Sequence, residues 1–139
     1  AIGVAHLLGI SNPRVAIIGA IEYVNLDMQA TVDAACISKM AERGQIKGAV
    51  IDGPLALDNA ISPESAKIKG IRSPVAGCAD ILIMPDIEAG NVFYKTLIYM
   101  AGICLASVVV GASAPVVLTS RADSHASKFY SLALGIAVS

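Results

Sequence analysis

Short apolar runs that alternate with helical patterns constrain the fold of this chain more than any other feature. Each run is rich in Val, Ile and Leu and carries at most one charged residue. Strands that are buried on both faces of a parallel sheet have this continuous apolar character. The alternation therefore predicts an α/β fold, a mostly parallel sheet flanked by helices. The predicted strands are residues 14–20, 48–51, 79–84, 105–110 and 116–119.

Helical periodicity fills most of the chain between these runs. Residues 27–43 repeat an apolar side chain at every fourth position, and Gly44 follows where a helix is expected to stop. Asp86 is placed to cap a helix over residues 87–101, and a last helix is predicted to begin near Asp123 or Ser124. The remaining assignments are a turn at 52–54, a short helix over 55–60 that Pro63 ends, and a surface segment over 62–72.

Composition and charge argue against several classes of protein. The formal net charge is −1 and the pI is about 6.1, so no basic surface indicates a nucleic-acid partner. Residues 96–120 carry no charge and could span a bilayer by length, but glycines and a proline interrupt them, so we expect no membrane segment. The cysteines have no zinc or disulfide spacing, which predicts reduced core cysteines in a cytoplasmic protein; they are Cys36, Cys78 and Cys104.

The apolar run at 116–119 ends on a hydroxyl next to a guanidinium, Ser120 and Arg121. Open α/β proteins bind ligands at carboxyl strand ends, and the N–H groups of a helix start attract anions. A guanidinium can bind a phosphate or carboxylate through two hydrogen bonds. The pair is therefore either an anion site or merely a polar closure of the strand. No Gly-x-Ser-x-Gly pattern surrounds Ser120, so a hydrolase nucleophile is not predicted, and His125 in the next turn is expected to be solvated.

The predicted helix over 87–101 begins with an unusual polar face. Gly90 lies within its first turns, where glycine costs up to about 1 kcal/mol relative to alanine. Either close packing or a ligand that approaches the backbone would explain it. Asn91, Tyr94 and Lys95 are spaced i, i+3 and i+4 and so share one helix face. Because asparagine and lysine do not suit a core together, this face is predicted to meet a ligand or a partner.

Metal and cofactor chemistry have little support. Asp52 and Asp58 follow a predicted strand, but nothing supplies further ligands, so a capped turn is favoured and no metal is expected. The glycine patterns of dinucleotide-binding folds and of P-loops are absent. We therefore expect no resident cofactor.

Three segments occur in order along the chain: DGPLALDNA at 52–60, PDIEAGNVFYK at 85–95 and PVVLTSRADS at 115–124. Together they resemble the phosphate acetyl/butyryltransferase family, and within it the phosphate butyryltransferase branch. The likeness extends over nearly all of the chain, which resembles the C-terminal half of a family member. It implies the three-layer α/β/α fold of the isocitrate/isopropylmalate dehydrogenase type, present here in part.

The resemblance implies an acyltransferase that moves a butyryl or acetyl group between coenzyme A and inorganic phosphate. Coenzyme A is then a substrate rather than a cofactor. By motif position, Ser120 resembles the serine that orients the thiol or the reacting carbonyl, and Arg121 the arginine that holds phosphate. The remaining implied substrate-binding residues are Gly90, Asn91, Tyr94 and Lys95.

The group that accepts the thiol proton is left open. The acetyl-specific branch carries an aspartate seven residues after this serine, and Ser127 stands there in this chain. Asp123 is the nearest carboxylate and is the candidate catalytic base. The alternatives are a different base, or a thiol that ionises without one.

The resemblance also carries expectations about domains and assembly. Residues 1–111 would belong to an inserted α/β domain, and residues 112–139 would return to the phosphate-side domain. Such a chain holds one wall of the active-site cleft, so it is expected to be inactive alone, and the protein is expected to be a cytoplasmic homodimer. The competing hypotheses are a non-catalytic acyl-CoA-binding regulatory module and an unrelated small-molecule-binding α/β protein.

Overall fold

A three-stranded parallel sheet forms the centre of the chain. The computed structural model describes all residues, 1–139, and its strands are β1 (Arg14–Ile18), β2 (Val50–Leu55) and β3 (Ile81–Ile83). Their spatial order is β2-β1-β3, and both pairings are parallel. The chain therefore leaves β1 on one side to form β2 and then crosses to the other side to form β3. The predicted α/β fold with a parallel sheet is confirmed.

Six helices surround this sheet, and two of them begin where the sequence predicts. The Asp86 carboxylate accepts the N–H of Ala89 at 2.7 Å, and the Ser124 hydroxyl accepts the N–H of Ser127 at 3.1 Å. Even the longest helix has only 14 residues, fewer than the about 20 that cross a bilayer, and none qualifies as a membrane span. The helices are α1 (Ile2–Leu7), α2 (Gln29–Glu42), α3 (Leu57–Ile61), α4 (Pro63–Ile68), α5 (Ile87–Tyr99) and α6 (His125–Ala137).

The core lies on both faces of β1, because successive side chains of a strand point to opposite faces. Val15 and Ile17 pack with Ala34 of α2 on one face. Ala16 and Ile18 are buried on the other face, in a cluster completed by Leu55, Ala60 and Val75. Helices on both faces of the sheet give the three layers that the sequence predicts.

The predicted turn at 52–54 is wrong, because these residues lie inside β2. Asp52 is paired with Ala16 and Leu55 with Ile18, so β2 uses one residue more than β1 over this stretch. Gly53 is the tight point of the resulting irregularity. A Cβ at this position would lie 2.8 Å from both the Cβ and the carbonyl oxygen of Ile17. The glycine therefore reflects the close approach of two strands rather than a chain reversal.

Pro63 begins a helix as well as following one. The short helix α3 ends at Ile61, and the Ser62 hydroxyl accepts the N–H of Ser65 at 3.2 Å to cap α4. Proline is favoured in the first turn of a helix because its missing N–H has no partner there. The predicted surface segment 62–72 thus contains a helix.

The predicted strands 105–110 and 116–119 are also wrong in this structure. A single antiparallel bridge joins them, in which the Val109 N–H donates to the Val116 carbonyl at 2.8 Å. A strand requires a continuous backbone partner, and these segments make no backbone–backbone hydrogen bond beyond this bridge. Val110 and Leu118 are 53% and 73% exposed.

Two further features of the surface differ from the sequence-based picture. Cys36 and Cys104 are exposed and only Cys78 is half-buried, so the prediction of core cysteines is wrong, although all three are free.

Helix α5 has no buried residue, and large apolar side chains project from it and from α6. The most exposed of these are Ile87 and Ile136, and Met100, which directly follows α5, is also exposed.

We expect Gly53→Ala to lower the free energy of unfolding by about 1–3 kcal/mol, because the added methyl group collides with the backbone of β1. Gly3→Ala is the matched control: a Cβ there meets nothing within 4 Å on helix α1, so stability should stay the same or rise by up to about 1 kcal/mol. Urea unfolding of the complete protein that carries this chain, followed by circular dichroism, measures both. Equal stability of the two variants would contradict the tight approach at Gly53.

Candidate functional site

A hydrogen-bonded turn presents the predicted site residues ahead of α6. The Asp123 N–H donates to the Ser120 carbonyl at 3.1 Å, and the Ser120 N–H donates to Asp123 Oδ2 at 2.7 Å. The Ala122 N–H also donates to the Ser120 hydroxyl, at 3.4 Å. These bonds close the turn on both sides of Arg121, so the guanidinium projects from a defined backbone.

The Asp123 carboxylate connects this turn to α5. Its residue is only 8% exposed, and a buried carboxylate requires hydrogen-bond donors. Besides the Ser120 N–H, Oδ2 accepts the hydroxyl of Tyr94 at 3.0 Å. Two segments that the sequence singled out separately are thereby brought together.

Tyr94 stays protonated in this position. Burial, and then the hydrogen bond to Asp123, raise the pKa of the Tyr94 phenol above its ordinary value. The phenol is therefore a hydrogen-bond donor at neutral pH. The Lys95 ammonium group lies over the Tyr94 ring, 4.8 Å from its centroid, which is within the range of a cation–π contact.

Arg121 offers a cation that the chain itself leaves free. The residue is exposed, and its guanidinium makes no hydrogen bond or ion pair in the structure. A second cation lies against the same turn, since the Lys128 ammonium group donates to the Arg121 carbonyl oxygen at 3.4 Å. Sequence reasoning missed Lys128, although its place in the first turns of α6, close after the turn, was a usable signal. The region suits an anion that comes from outside the chain.

The polar face of α5 borders an open cavity of about 480 Å³. Gly90, Asn91 and Tyr94 line it together with Ile87 and Glu88. Lys95 lies outside this cavity and lines a neighbouring one with Asn91. Ser120 and Arg121 do not line the cavity either, so the two halves of the candidate site meet through the Tyr94–Asp123 hydrogen bond.

Gly90 is not explained by packing. A Cβ at this position would come no closer than 3.8 Å to Met84, which is an ordinary van der Waals contact. Packing within this chain therefore does not explain the glycine. The other explanation that the sequence left open is the approach of a ligand to the backbone.

Ser127 and His125 differ in their exposure near the turn. Ser127 is 5% exposed, and its hydroxyl lies 3.1 Å from the Ser124 hydroxyl and 3.5 Å from the Cys104 thiol. These contacts direct it into the interior beneath the turn. His125 is exposed and has no hydrogen bond from its ring within the chain, in line with a solvated side chain.

The acidic residues of segment 52–60 are occupied by neighbours. The Ser65 hydroxyl and the Lys69 ammonium group hold the pKa of the Asp58 carboxyl at about 2, and the Asp52 carboxylate accepts the N–H of Gly53 at 2.9 Å. No group of three or more His, Cys, Asp or Glu side chains converges as a metal site.

The Tyr94 contact gives a spectroscopic prediction. Of the four tyrosines, Tyr94 is expected to ionise at higher pH than an ordinary phenol, and Asp123→Asn should lower its pKa only in part, because burial remains. The pKa of the Tyr94 phenol is higher in the folded protein than in the unfolded chain, where it is about 10. The contribution of this phenol to the stability of the fold is therefore complete below a pH of about 10, and it is lost as the pH rises through the folded-state pKa. Alkaline absorbance titration, with Tyr94→Phe to assign the late phase, measures this. Titration of all tyrosines together would contradict the contact.

The sequence matches the family described as "Phosphate acetyl/butaryl transferase" over residues 1–136. A phosphate acetyltransferase from Thermotoga maritima is 60% identical over 131 residues, which are 94% of this chain and 45% of that protein. A phosphate butyryltransferase from Clostridium acetobutylicum is 58% identical over 135 residues, 97% of this chain and 45% of that protein. The chain thus spans about half the length of the curated relatives it matches.

A solved structure agrees with this likeness. The crystal structure of a branched-chain phosphotransacylase from Enterococcus faecalis V583 superimposes with a TM-score of 0.89 at 38% identity, and the match covers 99% of this chain and 49% of that protein. The fold and the sequence therefore lead to one assignment: the chain belongs to the phosphate acetyl/butyryltransferase family.

Proposed function

We propose that the complete protein containing this chain transfers an acyl group between coenzyme A and inorganic phosphate: acyl-CoA + phosphate = CoA + acyl phosphate. The acyl group is butyryl or acetyl, as in the names of the relatives. The observation that carries the proposal is the closed turn at 120–123, which presents Ser120 and an unpaired Arg121 next to the start of α6.

The residues of the turn suit the steps of this reaction. As acyl phosphate forms, a phosphate oxygen attacks the thioester carbonyl, the carbon–sulfur bond breaks, and coenzyme A leaves as the thiolate, which then takes up a proton. The carbonyl oxygen gains charge during the attack and needs hydrogen-bond donors. In this reaction Ser120 orients the thiol or the carbonyl. The planar guanidinium group of Arg121 binds the phosphate through two hydrogen bonds. Asp123 is the carboxylate next to these two residues.

The polar face of α5 would position the other substrate groups. The Asn91 amide makes no hydrogen bond within the chain, Gly90 exposes its backbone to the cavity, and the Tyr94 ring forms one wall. Lys95 contributes a positive charge next to this wall. A thioester substrate with an anionic nucleotide portion suits a site that combines an open cavity of mixed polar and apolar lining with nearby cations.

The chain would supply only part of the site. Residues 1–111 are proposed to form part of an inserted domain, and residues 112–139 to return to the phosphate-side domain. The unpaired segments at 105–110 and 116–119 and the exposed apolar side chains of α5 and α6 support further polypeptide against these surfaces. This chain would then be inactive alone, and the complete protein a cytoplasmic homodimer.

A regulatory module that binds acyl-CoA without turnover is the second candidate function. It is favoured by one observation: the nearest carboxylate, Asp123, is engaged by two donors, and Ser127 faces inward. Such a module would keep the cavity and the cations but would release no thiol.

The complete protein is expected to release coenzyme A thiol from butyryl-CoA or acetyl-CoA only when phosphate is present. A thiol-specific chromogenic reagent follows the release, with reactions lacking phosphate as the control. Binding of one acyl-CoA in equilibrium dialysis without any thiol release would refute the enzyme and support the regulatory module.

Arg121→Ala should raise the KM for phosphate or lower kcat by about tenfold or more, because a charge-assisted hydrogen bond is worth roughly 1.5–3 kcal/mol. Arg72→Ala is the matched control, since Arg72 is also an exposed arginine whose side chain has no hydrogen bond or ion pair in the structure. Steady-state kinetics at varied phosphate compare the two. Unchanged phosphate kinetics in Arg121→Ala would remove Arg121 from the phosphate site.

A further inference from the structure

From this geometry we infer that Asp123 is a positioning residue, not the general base, and that with Tyr94 it fastens the Ser120–Arg121 turn to helix α5. We name the arrangement the Tyr94–Asp123–Ser120 clasp. Its kinetic consequences rest on the proposed acyl transfer, whereas the clasp itself is a structural contact that can be tested without activity.

Both donors of the clasp use the same carboxylate oxygen. The Ser120 N–H and the Tyr94 hydroxyl reach Asp123 Oδ2 at 2.7 and 3.0 Å. The other oxygen, Oδ1, makes no hydrogen bond within the chain. An asparagine at this position can keep both bonds on its single carbonyl oxygen while placing a non-basic NH₂ group where Oδ1 stands. Asp123→Asn therefore distinguishes a structural role, which depends on Oδ2, from a role as a base, which would depend on Oδ1.

The clasp also determines what Tyr94 can do. Its one hydroxyl proton is donated to Asp123, so the group is not available to donate to a substrate. Tyr94 lines the cavity, and the Lys95 ammonium group lies 4.8 Å from the centroid of its ring. Tyr94 therefore serves the site through the turn that it holds rather than through a direct polar contact.

Within this chain, helix α5 has a single side-chain hydrogen bond to the turn. None of its residues is buried here, and the Tyr94–Asp123 bond is the polar contact that relates the helix to residues 120–123. The reaction requires phosphate at Arg121 and the thioester at the α5 face to be held together in one geometry, and a displacement of about 1 Å can cost on the order of a hundredfold in rate. A buried hydrogen-bonded carboxylate between the two segments supplies that geometry before substrate binds.

Substitution of Asp123 in the complete protein distinguishes the clasp from a general base. If the clasp is right, Asp123→Asn loses less than about fivefold in kcat and keeps the wild-type pH profile, whereas Asp123→Ala loses about fiftyfold or more. If Asp123 is the base, both variants lose about a hundredfold or more, because general base catalysis contributes 10²–10⁴. An equally large loss in the two variants overturns the inference.

Tyr94→Phe removes one donor and keeps the ring. It should lower kcat by about threefold to tenfold with no shift of the pH profile. Tyr130→Phe is the control, because Tyr130 is 55% exposed on α6 and its hydroxyl has no hydrogen bond in the structure. If Asp123→Ala does not fold, comparing kcat of Asp123→Asn with kcat of Tyr94→Phe still distinguishes the two roles of Asp123. Asp123→Asn loses more activity than Tyr94→Phe only if Asp123 is the general base.

Thermal denaturation tests the clasp independently of catalysis. Tyr94→Phe should lower the Tm in the wild-type and Asp123→Asn backgrounds but not in Asp123→Ala, where its partner is gone. The same Tm shift in all backgrounds overturns the clasp, whether or not the protein is active. Absence of thiol release in the wild type together with this background dependence would reject the proposed function and retain the clasp.

Discussion

Parallel pairing of β1 with strands on both of its sides is the constraint on which the rest of the structure depends. A central strand can bury its backbone only if both edges meet hydrogen-bonding partners. Here β2 and β3 supply them, and the side chains of β1 fill cores on both faces. The pairing is close enough to require a glycine opposite Ile17. It also aligns the carboxyl ends of the strands, so that α5 begins at the same edge of the sheet.

A second interaction, much smaller in area, organises the candidate site. The Asp123 carboxylate links a turn and a helix that are 29 residues apart in the sequence and otherwise share little packing. Burial makes the link effective, because an oxygen shielded from water holds its donors more strongly than an exposed one.

The two parts of the chain differ in how completely they are covered. Residues up to 84 form the sheet and contain every buried hydrophobic residue, although Leu26 and Ile68 are also more than 70% exposed. The later residues leave Met100, Leu118 and Ile136 more than 70% exposed and contain two extended segments joined by one bridge. Large apolar surfaces of this kind are characteristic of interfaces.

Short sequence patterns correctly predicted the elements whose formation depends on neighbouring residues. The first three strands and the starts of α5 and α6 follow from apolar character and capping side chains, which act within a few residues. The predicted strands at 105–110 and 116–119 failed because strand formation depends on a partner, and composition does not show whether one is present. The turn predicted at 52–54 failed for a related reason. Gly53 and Pro54 are usual turn residues, but pairing with β1 retains them in β2.

By itself, the sequence determined the α/β class, the starts of α5 and α6, the family resemblance and the candidates for the site, because periodicity, capping and motif order are written in neighbouring positions. Only the tertiary structure decided that Tyr94 and Asp123 share a hydrogen bond, that Arg121 is left unpaired and that Gly90 is not required by packing. The first is a contact between distant segments, and the other two are the absence of such a contact. They depend on how the sheet places the ends of its strands, which no local pattern specifies.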